Sequence, residues 1–204
     1  MRLDHVRKAL AIGAHPDDVE VGAGGLVGKL VGAGATVTLM VASIPNRFAV
    51  RAAEATRAAA HLGVRLVLPP EERETRVEEL QMHALVARFE AELSPDLDLL
   101  IVHGSHDVHN DHQIVHRAAL AAVRRSRCDI LAFATRLPAG SAPPPPTCVI
   151  DISSSIDRKL AAVAEHVSQF PPTFAEMRRD VARTLGHAHG VPYAEVFEVL
   201  RITC

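Results

Sequence analysis

Residues 14–25 read Ala14-His15-Pro16-Asp17-Asp18-Val19-Glu20-Val21-Gly22-Ala23-Gly24-Gly25, so one imidazole and two carboxylates stand close together. The apolar run before them predicts a buried strand over about Ala9–Ala14. The Gly- and Val-rich segment after them predicts a helix over about Gly24–Val31. The polar side chains therefore lie where a strand ends and a helix begins, which in open α/β sheets is the edge at which ligands bind.

The rest of the chain alternates between strand-like and helix-like segments. Apolar runs predict strands over Thr36–Val41, Val64–Leu68, Leu97–Val102 and Asp129–Ala134, and helical spacing predicts helices over Val50–Leu62, Thr75–Leu93 and His112–Arg125. A Pro-rich loop, Pro138–Pro146, precedes predicted strands over Cys148–Ile152 and Ala194–Ile202 and two helices, one ending near Val167 and one over Thr173–Leu185. The alternation predicts one Rossmann-like α/β domain over residues 1–204, with three α/β/α layers and a mainly parallel sheet. We expect the first and fourth strands to be neighbours in it.

The composition of the 204-residue chain argues against several classes of protein. A formal net charge of −2 and an aromatic content of 3%, without Trp, argue against binding to nucleic acid. The longest uncharged stretch, Leu30–Asn46, is shorter than the roughly 20 residues of a membrane-spanning helix. The cysteines Cys128, Cys148 and Cys204 are scattered, which favours reduced thiols in a cytoplasmic protein. Ala-rich helices allow subunits to pack closely, and we expect a homo-oligomer.

A second polar cluster reads His103-Gly104-Ser105-His106-Asp107-Val108-His109-Asn110-Asp111-His112 and follows the apolar run Leu99–Val102. Its Gly and Ser predict a loop that lasts until a helix with Asn110 or Asp111 as N-cap. Five of the twelve histidines of the chain fall within residues 103–116, more than isolated surface or core histidines explain. We expect the two clusters to meet and to hold one catalytic zinc ion.

The sequence pattern is compatible with two alternative sets of zinc ligands. In one set, His112 joins His15 and Asp18 across the sheet edge; in the other, His112 pairs with His116 at the i, i+4 spacing of a helix. With His15 and Asp18 on the metal, Asp17 is a free carboxylate that is able to take a proton from water.

His109 and Asp111 follow a different pattern, that of an imidazole oriented by a carboxylate. Such an imidazole is able to stabilise an oxyanion or to protonate a leaving group.

The glycines of the first stretch do not fit a dinucleotide-binding loop. Val27 stands where the third glycine of G-x-G-x-x-G belongs, and Asp17, Asp18 and Glu20 would repel a pyrophosphate. We expect the glycines to let the first helix pack closely on the sheet, and Glu20 to anchor the first turn.

Together, Ala14–Glu20 and His109–His112 resemble the two signatures of the PIG-L/LmbE-like zinc-dependent N-deacetylases. The resemblance continues in Arg51-Ala52-Ala53-Glu54, in Lys159 with His166-Val167-Ser168-Gln169 and in Tyr193–Phe197. It implies the LmbE-like fold, with zinc, or another divalent metal such as iron or cobalt, on His15, Asp18 and His112. It also implies that Asp17 is the general base and that His109, paired with Asp111, stabilises the oxyanion or acts as an acid.

The substrate implied by the resemblance is a small molecule with an N-acetylamino sugar of the N-acetylglucosamine type, which is hydrolysed to acetate and an amine. Arg51 is a candidate for holding an acetyl oxygen or a sugar group, and His166 and Gln169 are candidates for lining the sugar pocket. The structural alternatives are a solvated Arg on a helix face and a polar helix end. We expect the loops Ser43–Phe48 and Leu137–Pro146 to shape specificity.

Two other functions stay open. One is an amidase that cleaves a larger acyl group or a thiol conjugate at the same site, and the other is a non-catalytic sugar- or metal-binding protein.

Overall fold

The computed structural model describes residues 3–135 and 148–203. In these residues the strands are β1 (Lys8–Gly13), β2 (Thr36–Val41), β3 (Arg65–Val67), β4 (Leu99–His103), β5 (Asp129–Phe133), β6 (Cys148–Asp151) and β7 (Ala194–Arg201). The α-helices are α1 (Asp18–Gly32), α2 (Phe48–Leu62), α3 (Met82–Ala91), α4 (Asn110–Ala122), α5 (Ile156–Ala164) and α6 (Phe174–Ala188). The loop Leu137–Pro146 lies outside the described residues.

The strands form one sheet in the order β3-β2-β1-β4-β5-β7-β6. The first five strands of this order are parallel, whereas β7 runs antiparallel to β5 and β6. The predicted α/β class and mainly parallel sheet are therefore confirmed. The predicted neighbours β1 and β4 are paired, with Ala11 opposite Ile101, so their carboxyl ends meet at one edge.

The sheet has an apolar core on each face. Ala9 and Ala11 of β1 belong to the core under α1, α2 and α5, whereas Leu10 and Ile12 belong to the core under α3 and α4. A strand that is covered on both faces must be apolar at successive positions, which explains the unbroken apolar runs in the sequence. This arrangement confirms the predicted three layers.

Three predicted helix boundaries are wrong. The first helix begins at Asp18 and not near Gly24, since a left-handed residue, Asp17, ends the preceding loop. The predicted helix over 75–93 is divided, because the extended backbone of Leu80 separates a 3₁₀ turn from α3. The helix α4 has His109 as its N-cap, because the Nδ1 atom of His109 accepts a hydrogen bond from the Asp111 N–H group at 3.2 Å.

The glycines of α1 allow a close approach, as predicted. A Cβ atom on Gly25 would lie 2.6 Å from the Ile152 side chain. The Gly25 N–H group donates to the Glu195 carboxylate at 2.8 Å, while Val21 O accepts from the Lys159 ammonium group at 2.8 Å. In a regular α-helix the Gly25 N–H group and Val21 O bond with each other. Here Lys159 and Glu195 form a buried ion pair that bonds with both groups, and this pair connects α1 to α5 and β7.

We expect Gly25→Ala to lower the free energy of unfolding by about 1–3 kcal/mol, because the added methyl group overpacks the contact with Ile152. Urea unfolding measures the change. The matched control is Gly32→Ala at the end of α1, where an added Cβ atom meets nothing within 4 Å. The control should gain about 0.4–1 kcal/mol. Equal stability of the two variants would contradict the close packing of α1.

Candidate metal and catalytic site

The carboxyl ends of β1 and β4 bring the two polar clusters together. One ligand atom each from His15, Asp18 and His112 lies within 4.8 Å of the others. The His112 Nε2 atom is 3.3 Å from Asp18 Oδ1, and the His15 Nδ1 atom is 3.6 Å from Asp18 Oδ2. The three side chains are at most 10% exposed. The first of the two predicted ligand sets is therefore assembled in the fold.

A sharp turn aims His15 and Asp18 at the same point. Pro16 limits the backbone between them, and Asp17 takes a left-handed conformation with φ of 99°. The turn is closed by the Asp18 carboxylate, whose Oδ2 atom accepts the His15 N–H group at 2.7 Å. Asp18 is thus both the first residue of α1 and a candidate ligand.

Each candidate histidine ligand has its own carboxylate on the other ring nitrogen. Asp111 Oδ2 lies 2.9 Å from His15 Nε2, and Asp107 Oδ2 lies 2.8 Å from His112 Nδ1. These contacts leave His15 Nδ1 and His112 Nε2 directed at Asp18. Carboxylate–imidazole–metal chains of this kind fix the orientation and tautomer of metal-binding histidines.

The carboxylate contacts differ from the predicted pairing of His109 with Asp111. The Asp111 carboxylate contacts His15, and only the Asp111 N–H group reaches His109. The partner of His112 is Asp107, to which the sequence analysis gave no role. Asp107 and Asp111 lie close together in the same polar cluster, so the sequence alone does not decide which of them contacts His15 and which contacts His112.

The electrostatics of this group favour a bound cation. Burial raises the pKa of Asp18, but His103 and His112 outweigh that effect and hold this pKa well below its usual value. Burial lowers the pKa of His112, but the hydrogen bonds to Asp107 and Asp18 outweigh it and raise the pKa to about 10. The carboxylates therefore stabilise a positive charge at this position, and a divalent cation supplies such a charge. Two imidazoles and a carboxylate are a common zinc donor set, so the residues fit the ion.

Asp17 lies beside this group and is not needed as a ligand. Burial, followed by the neighbouring charge of Asp18, raises the pKa of Asp17 to about 8, and the Arg51 guanidinium acts in the opposite direction. A cation on the neighbouring ligands lowers the same pKa, because it favours the carboxylate. A carboxylate that titrates near neutral pH is suited to accept a proton.

The second predicted ligand set, His112 with His116, is not assembled. His116 Nδ1 lies 2.7 Å from the carbonyl oxygen of His103, and His116 is in none of the groups of possible ligands among the described residues. His103 has a supporting position that the sequence analysis missed: its ring stacks on His112 at 3.9 Å, and its Nε2 atom accepts the Ala14 N–H group.

The residues predicted to contact substrate each contact another side chain of the protein. Arg51 is buried and donates to Asp17 Oδ2 at 3.3 Å, so it is not a solvated Arg. His166 is wholly buried with Nε2 3.3 Å from Glu20 Oε1, and Gln169 donates to the Ser168 hydroxyl at 2.8 Å. Their contact with a sugar stays a prediction.

The sequence of the chain also matches a known protein family. Residues 10–123 match the PIG-L family, described as GlcNAc-PI de-N-acetylase. The chain belongs to the PIG-L family. The matched residues run from β1 to the end of α4 and include the three candidate ligands and Asp17. The uncharacterized deacetylase YaiS of Escherichia coli (strain K12) is 30% identical over 125 residues, which are 56% of this chain and 67% of YaiS.

Solved structures confirm the LmbE-like fold of this PIG-L protein. N,N'-diacetylchitobiose deacetylase from Pyrococcus horikoshii superposes with a TM-score of 0.77 at 21% identity, over 98% of this chain and 88% of the deacetylase. GalB, the 4-carboxy-2-hydroxymuconate hydratase from Pseudomonas putida KT2440, superposes with a TM-score of 0.78 at 19% identity, over 98% of this chain and 99% of GalB. The fold thus carries a hydratase as well as a deacetylase, and the reaction must be argued from the site.

We expect Asp107→Asn to weaken zinc binding about 10–100-fold, because the change removes the charge that orients His112. Competition with a chromophoric chelator measures the affinity. The matched control is Asp157→Asn, an aspartate on α5 whose side chain is 86% exposed and which should leave the affinity unchanged. Wild-type affinity in the Asp107 variant would contradict the role of Asp107 in orienting His112 for metal binding.

Proposed function

We propose that this PIG-L protein is a metal-dependent hydrolase that removes the acetyl group from an N-acetylamino sugar of the N-acetylglucosamine type in a small conjugate. The observation that carries the proposal is the buried group His15, Asp18 and His112 with the unligated carboxylate of Asp17 beside it. The family description and the relative YaiS support acetyl removal, and the family description supports the sugar.

The metal in this proposal is zinc, which His15, Asp18 and His112 would hold. When bound, the ion would supply a Lewis acid. Asp111 and Asp107 lie on the other ring nitrogens and orient the two imidazoles so that His15 Nδ1 and His112 Nε2 face the position of the ion. These three residues would provide one negative charge to a divalent ion, so the centre would stay positive and would stabilise the charge that develops on an amide oxygen.

Proton transfer is assigned to Asp17, and stabilisation of the oxyanion is assigned to His109. Asp17 accepts a proton from the attacking water. The Nδ1 atom of His109 accepts the Asp111 N–H group, so the proton of the neutral ring is on Nε2, which has no protein partner in the described part of the chain. The ring of His109 stacks on that of His112 at 4.6 Å. From there the His109 Nε2–H group is able to donate a hydrogen bond to the oxyanion, and the proton that Asp17 has taken from water is the one that the leaving amine receives.

The test is acetate release from N-acetylglucosamine and its small conjugates, compared with propionyl and longer acyl analogues. We expect turnover of the acetyl compounds, loss of turnover when chelation removes the metal, and recovery when about one zinc per chain is restored. Robust turnover after exhaustive metal removal would contradict the proposal. Cleavage of only the longer acyl compounds would instead indicate the amidase.

We further expect Asp17→Asn to lower kcat about 10²–10⁴-fold while the protein keeps its zinc, because the substitution removes the base and not a ligand. Zinc content by elemental analysis and acetate release give the two readouts. Asp180→Asn, at an aspartate on α6 whose side chain is 70% exposed, is the matched control and should turn over like the wild type. An Asp17 variant with wild-type kcat would remove the base from this account.

Two other expectations about the protein stay predictions, namely the homo-oligomer and the cytoplasmic location. Within residues 3–135 and 148–203, the helices are too short or too polar to cross a bilayer.

A further inference from the structure

A short segment after α5, residues 165–168, contacts both α1 and α2. On the α1 side, the Nε2 atom of His166 lies 3.3 Å from Glu20 Oε1. On the α2 side, the N–H group and the hydroxyl group of Ser168 donate to the Glu54 carboxylate at 2.9 and 2.7 Å. The segment therefore joins two helices that are far apart in the chain.

These contacts are made in the interior of the protein. Glu20, Glu54 and His166 are each about 1% exposed. A buried carboxylate must be compensated by hydrogen bonds or by positive charge, and both oxygens of Glu54 are bonded to Ser168. Burial lowers the pKa of His166, but the contact with Glu20 outweighs that effect and raises the pKa, which favours the charged imidazole. The segment is thus held on each helix by a buried charged group.

Each of the two contacts lies within one turn of a residue at the candidate site. Glu20 is in the first turn of α1, which begins at the candidate ligand Asp18. Glu54 lies one turn after Arg51 on α2, and the Arg51 guanidinium donates to Asp17 Oδ2 at 3.3 Å. A shift of α2 relative to α1 would therefore move Arg51 relative to the proposed base.

The position of the Arg51 guanidinium is sensitive to such a shift. Its Nη2 atom donates to Pro16 O at 3.1 Å, and its Nη1 atom donates to Asn46 Oδ1 at 3.4 Å. Together with the contact to Asp17, these bonds are near the upper limit of hydrogen-bond length, so a displacement of about 1 Å breaks them. The Nε atom of Arg51 is buried and has no hydrogen-bond partner in the described residues, which leaves one donor available to a bound molecule.

We propose that Ser168 and Glu54 are positioning residues: their contact, on a segment that His166 anchors to α1, fixes the place of Arg51 beside Asp17. The inference rests on the proposed function, in which Asp17 is the base. Ser168 and Glu54 act through Arg51 and touch neither the substrate nor the metal.

A double-mutant cycle tests the inference. Ser168→Ala removes the hydroxyl donor and should lower kcat/KM about tenfold with zinc content unchanged, because a misplacement of about 1 Å costs up to a hundredfold in rate. In an Arg51→Met background, the same substitution should change the residual kcat/KM less than about twofold, since the group that Ser168 positions is already gone. Ser168→Thr keeps the hydroxyl group and should stay within about twofold of the wild type.

Thr203→Val is the matched control. The N–H group and the hydroxyl group of Thr203 donate to the buried carboxylate of Asp129 at 2.7 and 2.8 Å, at the start of β5 and away from the site. The control loses the same kind of hydrogen bond as Ser168→Ala and should lower Tm by a similar amount, with kcat/KM unchanged. An equal loss of kcat/KM in the two variants would overturn the inference, because activity would then follow stability alone.

Other results would also overturn the inference. An equal loss of kcat/KM from Ser168→Ala in both backgrounds would indicate that the segment contacts the substrate directly. Wild-type kcat/KM in Ser168→Ala would show that the contact positions nothing. A loss of zinc together with activity would indicate a general structural role.

Crystal structures of the wild type and of Ser168→Ala give a readout without turnover. The distance from Arg51 Nη2 to Pro16 O should exceed about 3.5 Å in the variant, and an unchanged distance would overturn the inference. A wild type that releases no acetate from any N-acetylated sugar would overturn the proposed function, while the two crystal structures still decide whether Ser168 positions Arg51. A wild type that releases acetate, with Arg51 unmoved in the variant, would overturn the inference alone.

Discussion

The Asp18 carboxylate is buried between three imidazoles, and most of the site follows from that contact. A carboxylate that loses its water must be compensated by hydrogen bonds and by positive charge. His103 and His112 lie 3.2 and 3.3 Å from its oxygens, and the His15 N–H group donates to it at 2.7 Å. The ring nitrogens of His15 and His112 lie beside this carboxylate, and the three side chains together offer ligand atoms to a divalent cation. Asp18 thus joins the stability of the turn to the chemistry of the site.

The fold makes this contact possible by placing β1 beside β4. Asp18 and the ring of His112 are 94 residues apart in the chain, yet parallel pairing puts the loops that carry them at one edge of the sheet. Other charged side chains surround the candidate ligands. Asp107 and Asp111 fix the imidazoles that face Asp18, and Arg51 reaches the neighbouring Asp17 from α2. The sheet sets the position of the site, and charged side chains set its geometry.

The sequence predicts the fold class, the pairing of β1 with β4 and the meeting of the two clusters, because these follow from apolar periodicity and from the general order of strands in α/β sheets. It does not predict which aspartate meets which histidine. Asp107 and Asp111 are four residues apart in the same loop and helix start, and only the packed backbone decides that Asp111 turns to His15. The sequence also does not predict that Arg51 is buried. The residues around an Arg in an Ala-rich helix follow the same pattern whether the Arg side chain faces water or faces Asp17. Local patterns thus define elements and residue types, whereas pairings between side chains depend on the tertiary packing.

The central claim is that two loops close on one ion through His15, Asp18 and His112. Anomalous scattering at the zinc absorption edge from crystals of the zinc-loaded protein tests it most directly. The account predicts one strong peak per chain, about 2.0–2.2 Å from a nitrogen of each histidine and from an oxygen of Asp18. A peak bound by other residues, or no peak between these three side chains, would contradict it.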